Sequence, residues 1–193
     1  MKKILVNFDC FGVICGEIAP YIFAKYFSDP EEAARLKDEF CHPADLGLID
    51  DYQMLGSIAE RIGIEKDALI EEWNSYICLN KDIIPLIEKL GEKADLALLS
   101  NAMRYLGERC VSEFGIDRLF DKVFLSYKYG IAKPDPAYYR LCIDSFGKTY
   151  DKIYMIDDNP KNLAPLKELG VEPVLFGSVE DIINHPALGS LLK

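Results

Sequence analysis

Five short apolar runs constrain this chain more than any other feature. They are Lys3–Phe8, Leu96–Leu99, Val123–Leu125, Ile153–Ile156 and Val174–Phe176. None alternates cleanly between apolar and polar residues. Strands of a parallel sheet read this way, because helices cover both of its faces. Helical stripes lie between the later runs. Ile83, Ile84, Ile87 and Leu90 form one, and Met103, Leu106, Cys110, Val111 and Phe114 another. Asp135-Pro136 and Asn159-Pro160 each set a capping side chain before a proline at the first helical position. Gly170 is expected to end the second of those helices. The alternation predicts an α/β fold, a doubly wound parallel sheet of Rossmann-like kind.

One stretch breaks the pattern. From about Glu17 to Asn80 only helices are expected. Ala19, Ile22, Phe23, Tyr26 and Phe27 share one helical face. Tyr52, Leu55, Ile58, Ala59 and Ile62 share a second, and Leu69, Ile70, Trp73, Tyr76 and Ile77 a third. Such a block after the first strand reads as an inserted cap. The expected division is a core of residues 1–16 and 81–193 with a helical cap of residues 17–80. The insert holds 14 acidic and five basic residues, nearly all of the acid excess in a chain of net charge −10. That excess is expected to form a solvated surface, and Trp73 to sit in the core of the insert.

The charge excludes nucleic acid and anionic membranes as main partners. No apolar run approaches the roughly 20 residues of a membrane span. Met1–Val6 superficially resembles a signal peptide, but Asp9 interrupts the apolar stretch and a buried first strand is expected. The six cysteines are scattered, with no Cys-x-x-Cys, and read as reduced thiols filling the core of a cytoplasmic protein. A monomer and a homodimer are both compatible with the apolar stripes.

In open α/β sheets, ligands bind beyond the carboxyl ends of the strands. Here those ends carry Asp9, Ser100-Asn101, Ser126 with Lys133 a few residues on, and Asp157-Asp158. Three carboxylates, a hydroxyl and an ammonium would meet along one edge. Clustered carboxylates repel unless a cation or proton intervenes. A divalent metal answers this, and magnesium suits an oxygen donor set.

Phe8-Asp9-Cys10-Phe11-Gly12-Val13, Leu99-Ser100-Asn101, Lys133-Pro134-Asp135 and Ile156-Asp157-Asp158-Asn159 resemble, in order and spacing, the four motifs of the haloacid dehalogenase-like hydrolases. The resemblance covers nearly the whole chain. The short cap and the run Asp158-Asn159-Pro160-Lys161-Asn162 are most similar to the sugar-phosphate phosphatase branch that includes glucose-1-phosphatase. The resemblance implies a Mg²⁺-dependent phosphatase acting on a small phosphorylated metabolite, a sugar phosphate among the candidates. Asp9 would be the nucleophile and form an aspartyl-phosphate. Ser100, Asn101 and Lys133 would bind the phosphoryl group. Asp9, the Phe11 carbonyl, Asp158 and Asp157, the last directly or through water, would hold the metal.

One position departs from the family pattern. Its phosphatases usually carry a second aspartate two residues after the nucleophile, which protonates the leaving oxygen and then activates water. Here that residue is Phe11. General acid–base help is worth roughly 10²–10⁴ in rate, so its loss favours good leaving groups. Glu17 and His42 are candidates to replace it. Two other readings stay open. Phe11 also suits a metal-free 2-haloacid dehalogenase, and loss of the proton carrier suits a phosphate-binding regulatory module.

Overall fold

The computed structural model describes residues 2–193. Its five strands are β1 (Ile4–Phe8), β2 (Asp95–Ser100), β3 (Lys122–Leu125), β4 (Lys152–Asp157) and β5 (Glu172–Leu175). Each matches an apolar run in the sequence to within two residues at either end. They form one parallel sheet in the order β3-β2-β1-β4-β5. The chain runs outward from β1 to β3, then returns to lay β4 on the other side of β1. The winding therefore reverses at β1, and a crevice opens at its carboxyl end.

Burial on both faces follows from the alternation of side chains along each strand. Val6, Phe8, Leu96, Leu98, Tyr154 and Ile156 point to one side. They pack there under α5 (Ile84–Gly91), α6 (Arg104–Glu113), α9 (Val179–Ile183) and α10 (Pro186–Leu191). Leu5, Ala97, Leu99 and Met155 point to the other side, under α7 (Pro136–Ser145) and the segment around Leu166.

Between β1 and α5 lie α1 (Ala19–Tyr26), α2 (Pro30–Asp45), α3 (Asp51–Ile62) and α4 (Lys66–Ser75). Their apolar faces, Ile22, Phe23, Leu36, Met54, Ile58, Leu69 and Trp73 among them, form a further cluster joined by Met103 and Leu106 of the α6 end. Three of these helices follow the sequence stripes. Tyr52 is an exception, 49% exposed beside Tyr105. The remaining helix, α2, has no counterpart among the stripes, although Asp29-Pro30 repeats the Asp-Pro start recognised elsewhere. Asp29 accepts a hydrogen bond from the Glu31 amide at 2.9 Å, as Asp135 does from Ala137 at 2.8 Å. A second difference concerns Gly170. The helix that begins at Pro160, α8, ends at Leu163 (α8, Pro160–Leu163), and Gly170 closes a separate 3₁₀ turn, Leu166–Leu169, after Pro165. Pro165 supplies no amide to continue α8.

Several contacts tie the helical block to the rest of the fold. A bridge pairs Cys15 with Leu79, and the Gly16 amide donates to the Cys78 carbonyl at 2.9 Å, so the chain leaves and rejoins at one point. The Ser126 hydroxyl donates to the Asp45 carbonyl at 2.6 Å, anchoring the end of α2. Buried Asp51 on α3 accepts from the Tyr105 and Leu106 amides at 3.2 and 2.9 Å. It thereby caps α6, whose own Met103 offers no capping side chain.

Asp51→Ala leaves two amides at the start of α6 unpaired, one of them buried. It is expected to lower the unfolding free energy by about 1–3 kcal/mol in urea denaturation. Asp50→Ala, which removes only a surface capping box on α3, should cost about 1 kcal/mol. Equal, small losses in both would show that Asp51 does not join the two units.

Candidate active site

Asp9 leaves β1 at the crevice, with its amide donating to the Ile156 carbonyl at 2.9 Å. One carboxylate oxygen accepts from the Cys10 amide at 2.7 Å. The other lies 2.8 Å from Lys133 Nζ. The loop beyond is wound tightly. The Cys10 carbonyl accepts from the Ile14 and Cys15 amides, both at 2.8 Å, and the Gly12 amide donates to the Cys15 carbonyl at 2.7 Å. The Phe11 carbonyl accepts no hydrogen bond among the described residues. Gly12 has φ +82°, and a Cβ there would lie 2.3 Å from the Asp158 carboxylate carbon. Only glycine lets the loop pass that close.

Lys133 is buried, its side chain wholly shielded, with Nζ 2.8 Å from Asp9 and 2.6 Å from Asp157. Asn101 sets its position. Lys133 N donates to Asn101 Oδ1 at 2.7 Å, and Asn101 Nδ2 donates to the Lys133 carbonyl at 2.8 Å. Asp157 accepts from Lys133, from the Asn159 amide at 2.9 Å, and from Asn162 Nδ2 at 3.0 and 3.1 Å. Three donor groups thus hold it, the single Asn162 nitrogen lying within reach of both oxygens. Its neighbour Asp158 is half-buried and accepts no hydrogen bond from another residue among those described.

One oxygen from each of Asp9, Asp157 and Asp158 lies within 4.8 Å of the others. Three carboxylates against one ammonium leave two negative charges without a partner. Burial pushes the Asp9 carboxyl well above its usual range; Lys133 opposes this, and Asp157 and Asp158 add to it. Burial and Asp157 likewise raise Asp158. Burial works to lower Lys133, but Asp9 and Asp157 outweigh it and the ammonium is held above its ordinary value.

A cavity of about 1320 Å³ opens over these groups, between the strand ends and the helices α1 and α2. Asp9, Phe11, Asn101, Lys133 and Asp158 line it. Asp157 and Ser100 do not. Asp157 is engaged by Lys133 and Asn162 and anchors the site from beneath. Ser100 is fully buried, with Oγ 3.2 Å from the Asn101 carbonyl, and does not reach the cavity. Ser126 is spent on Asp45 and Ala102.

The opposite wall holds both residues that the sequence offered as proton carriers, His42 on α2 and Glu17 in the segment before α1. It adds four that the sequence did not single out, Lys37, Asp38, Cys41 and Asp45, from the same face of α2. The α2 spacing of four and eight residues was readable once Asp29-Pro30 marked the helix. Trp73 is buried, as expected of a core residue, yet it borders the cavity and its indole N–H has no partner among the described residues. Burial pushes Glu17 up to about 7, with Asp158 adding and Lys37 opposing. Burial pushes Asp45 up to about 7 as well, with Lys37 opposing and Glu17 adding.

A family model described as haloacid dehalogenase-like hydrolase matches residues 5–170. A phosphoserine phosphatase from Thermus thermophilus is 34% identical over 120 residues, covering 62% of this chain and 48% of that protein. The chain spans 12% to 48% of the lengths of the curated relatives it matches. A HAD family enzyme from Bacteroides thetaiotaomicron superposes with a TM-score of 0.74 at 26% identity, over 95% of this chain and 97% of that one. The same enzyme in complex with magnesium and inorganic phosphate superposes at 0.70, over 89% and 92%. An L-2-haloacid dehalogenase from Xanthobacter autotrophicus shares the fold, with a TM-score of 0.66 at 19% identity over 99% of this chain and 84% of that one.

The Asp45 shift fixes the sign of a stability change. A carboxyl raised on folding binds its proton more tightly in the folded chain. Its ordinary value is 3.8 and its folded value about 7, so stability is full below pH 3.8 and falls as pH rises towards 7. Asp45→Asn removes that loss. It should melt at a higher temperature than the parent at pH 8, by roughly 1–3 kcal/mol of stability, and at the same temperature near pH 4. Equal midpoints at pH 8 would contradict this.

Proposed function

The chain belongs to the haloacid dehalogenase-like hydrolases, and from that membership we propose that it is a magnesium-dependent phosphatase of a small phosphorylated metabolite, a sugar phosphate being the class we favour. The observation that carries this reading is the buried group of Asp9, Lys133, Asp157 and Asp158, with two negative charges in excess. A haloacid would bring another negative charge to that edge, whereas a divalent cation with a phosphate ester neutralises it. The likeness to a phosphoserine phosphatase, and the Bacteroides enzyme held with magnesium and phosphate, point the same way.

The donors fit magnesium. They are all oxygen, and the Phe11 carbonyl has no other partner among the described residues. In our reading Asp9, the Phe11 carbonyl and Asp158 hold the ion, while Asp157 acts through Lys133. When bound, magnesium would supply positive charge against the phosphoryl oxygens and keep the nearby carboxylates ionised. Asp9 then attacks phosphorus with a carboxylate oxygen, giving an aspartyl-phosphate that water later hydrolyses. Lys133 holds Asp9 in one orientation and neutralises charge on the phosphoryl group. Asn101 positions Lys133 by gripping its backbone. We assign Ser100 to the support of this floor, beneath the substrate. The helices α1 to α4 act as the cap that closes over the substrate and selects it.

The test is phosphate release from a panel of sugar and acyl phosphates, with Mg²⁺ and with chelator. Release should need the metal, and Asp9→Asn should lower it by at least about 10³-fold, because the covalent step is lost. No release from any ester, or halide release from a 2-haloacid without metal, would overturn the reading. The latter would favour the dehalogenase that Phe11 suggests.

A further inference from the structure

Phe11 stands where this chemistry needs a proton carrier. Its ring lines the cavity and packs against two apolar clusters, and no group on it can donate or accept a proton. Apart from Asp9 and Asp158, five carboxyl residues line the cavity. Asp38, Asp82 and Glu180 are exposed; Glu17 and Asp45 are not.

These two differ in place and in company. Asp45 ends α2, and Lys37 is the charge that acts on it most strongly. Glu17 follows the pinned Cys15–Leu79 bridge and precedes buried Ile18, so its backbone is fixed on both sides. Glu17 lines the same cavity as Asp9 and Asp158, and Asp158 is the charge that raises its carboxyl most. Its carboxyl accepts no hydrogen bond and makes no ion pair among the described residues, so it has no structural duty. His42, the other candidate from the sequence, lines the cavity but is exposed.

We propose that Glu17 is the general acid and base of this site, supplying from the helical side the proton that Phe11 cannot. The inference rests on the phosphatase reading. In the first step an Asp9 oxygen bonds to phosphorus and the bond from phosphorus to the leaving oxygen breaks. The leaving oxygen keeps that electron pair and takes the proton from the Glu17 carboxyl. In the second step a water oxygen bonds to phosphorus and gives its proton to the Glu17 carboxylate. The bond from phosphorus to Asp9 breaks, its electron pair returns to Asp9, and inorganic phosphate leaves. Glu17 ends as it began. A carboxyl pushed up to about 7 can both give and take a proton near neutral pH. The titratable groups that share the cavity wall with it include Lys37, Cys41 and Asp45 from α2, Asp158 from the end of β4, and Lys133, while Asp157 acts on it from beneath.

The experiment compares p-nitrophenyl phosphate, whose leaving group departs without a proton, with benzyl phosphate, whose leaving group needs one. Glu17→Gln should lower kcat/KM for benzyl phosphate by about 10²–10³-fold and change it less than about threefold for p-nitrophenyl phosphate. It should show a burst of p-nitrophenol, because hydrolysis of the aspartyl-phosphate now lacks its base. The benzyl phosphate profile of the parent should fall above about pH 7, and this limb should vanish in the variant. Glu17→Asp, which keeps the carboxyl on a shorter arm, should lose less and with the same selectivity, so it serves if the Gln variant does not fold. An equal loss on both esters, or none, overturns the proposal and leaves the phosphatase reading standing. No turnover of either ester by the parent above Asp9→Asn overturns both.

Discussion

The buried Lys133 ammonium is the contact on which the rest of the site depends. An ammonium with its side chain wholly shielded is tolerated only beside carboxylates placed to receive it. Asp9 and Asp157 are those carboxylates, at the ends of adjacent strands β1 and β4. The pairing register fixes the two acids side by side, and Lys133 fills the place between them. The loop carrying Lys133 has no strand to hold it, so Asn101 grips its backbone from both the amide and the carbonyl. A change at Asn101 would therefore reach Asp9 through Lys133, and a change at Asn162 would reach it through Asp157 and Lys133.

The adjacent acids Asp157 and Asp158 show how one backbone step separates two roles. Successive side chains in extended chain point to opposite sides. Asp157 turns inward, where lysine and two asparagine groups hold its oxygens. Asp158 turns towards the cavity and against Gly12, and accepts no hydrogen bond from another of the described residues. The inward acid makes the lysine stable, and the outward acid leaves negative charge unspent. That excess is what asks for a cation.

The sheet was legible because burial on both faces leaves strands unalternated, a local mark that survives in sequence. The residues at its carboxyl edge were legible for the same reason, since a polar residue that ends an apolar strand stands out. Their directions were not. Ser100 and Asp157 sit at strand ends as expected, but both turn away from the cavity, and this depends on neighbours distant in sequence. The face of α2 was hidden more deeply. Lys37, His42 and Asp45 look like the polar side of a surface helix, and only the docking of α2 against Ser126 turns them to the cavity. The acidic insert, read as a solvated surface, is mostly that, but Glu17 and Asp45 are withdrawn from it.

Phe11 and Glu17 are best understood together. Phe11 packs against both the sheet core and the helical cluster, so it adds apolar continuity where the nucleophile loop meets the insert. With Glu17 as the proton carrier, as we propose, that contact stays apolar and the carboxyl stands on the cavity wall. On that proposal the attacking and proton-carrying groups lie on different parts of the fold, Asp9 at the end of β1 and Glu17 on the way into the helices. Their separation is then set by the Cys15–Leu79 bridge and by the Asp45 and Asp51 anchors. Contacts that resemble simple packing between helices and sheet thereby become part of the geometry of proton transfer.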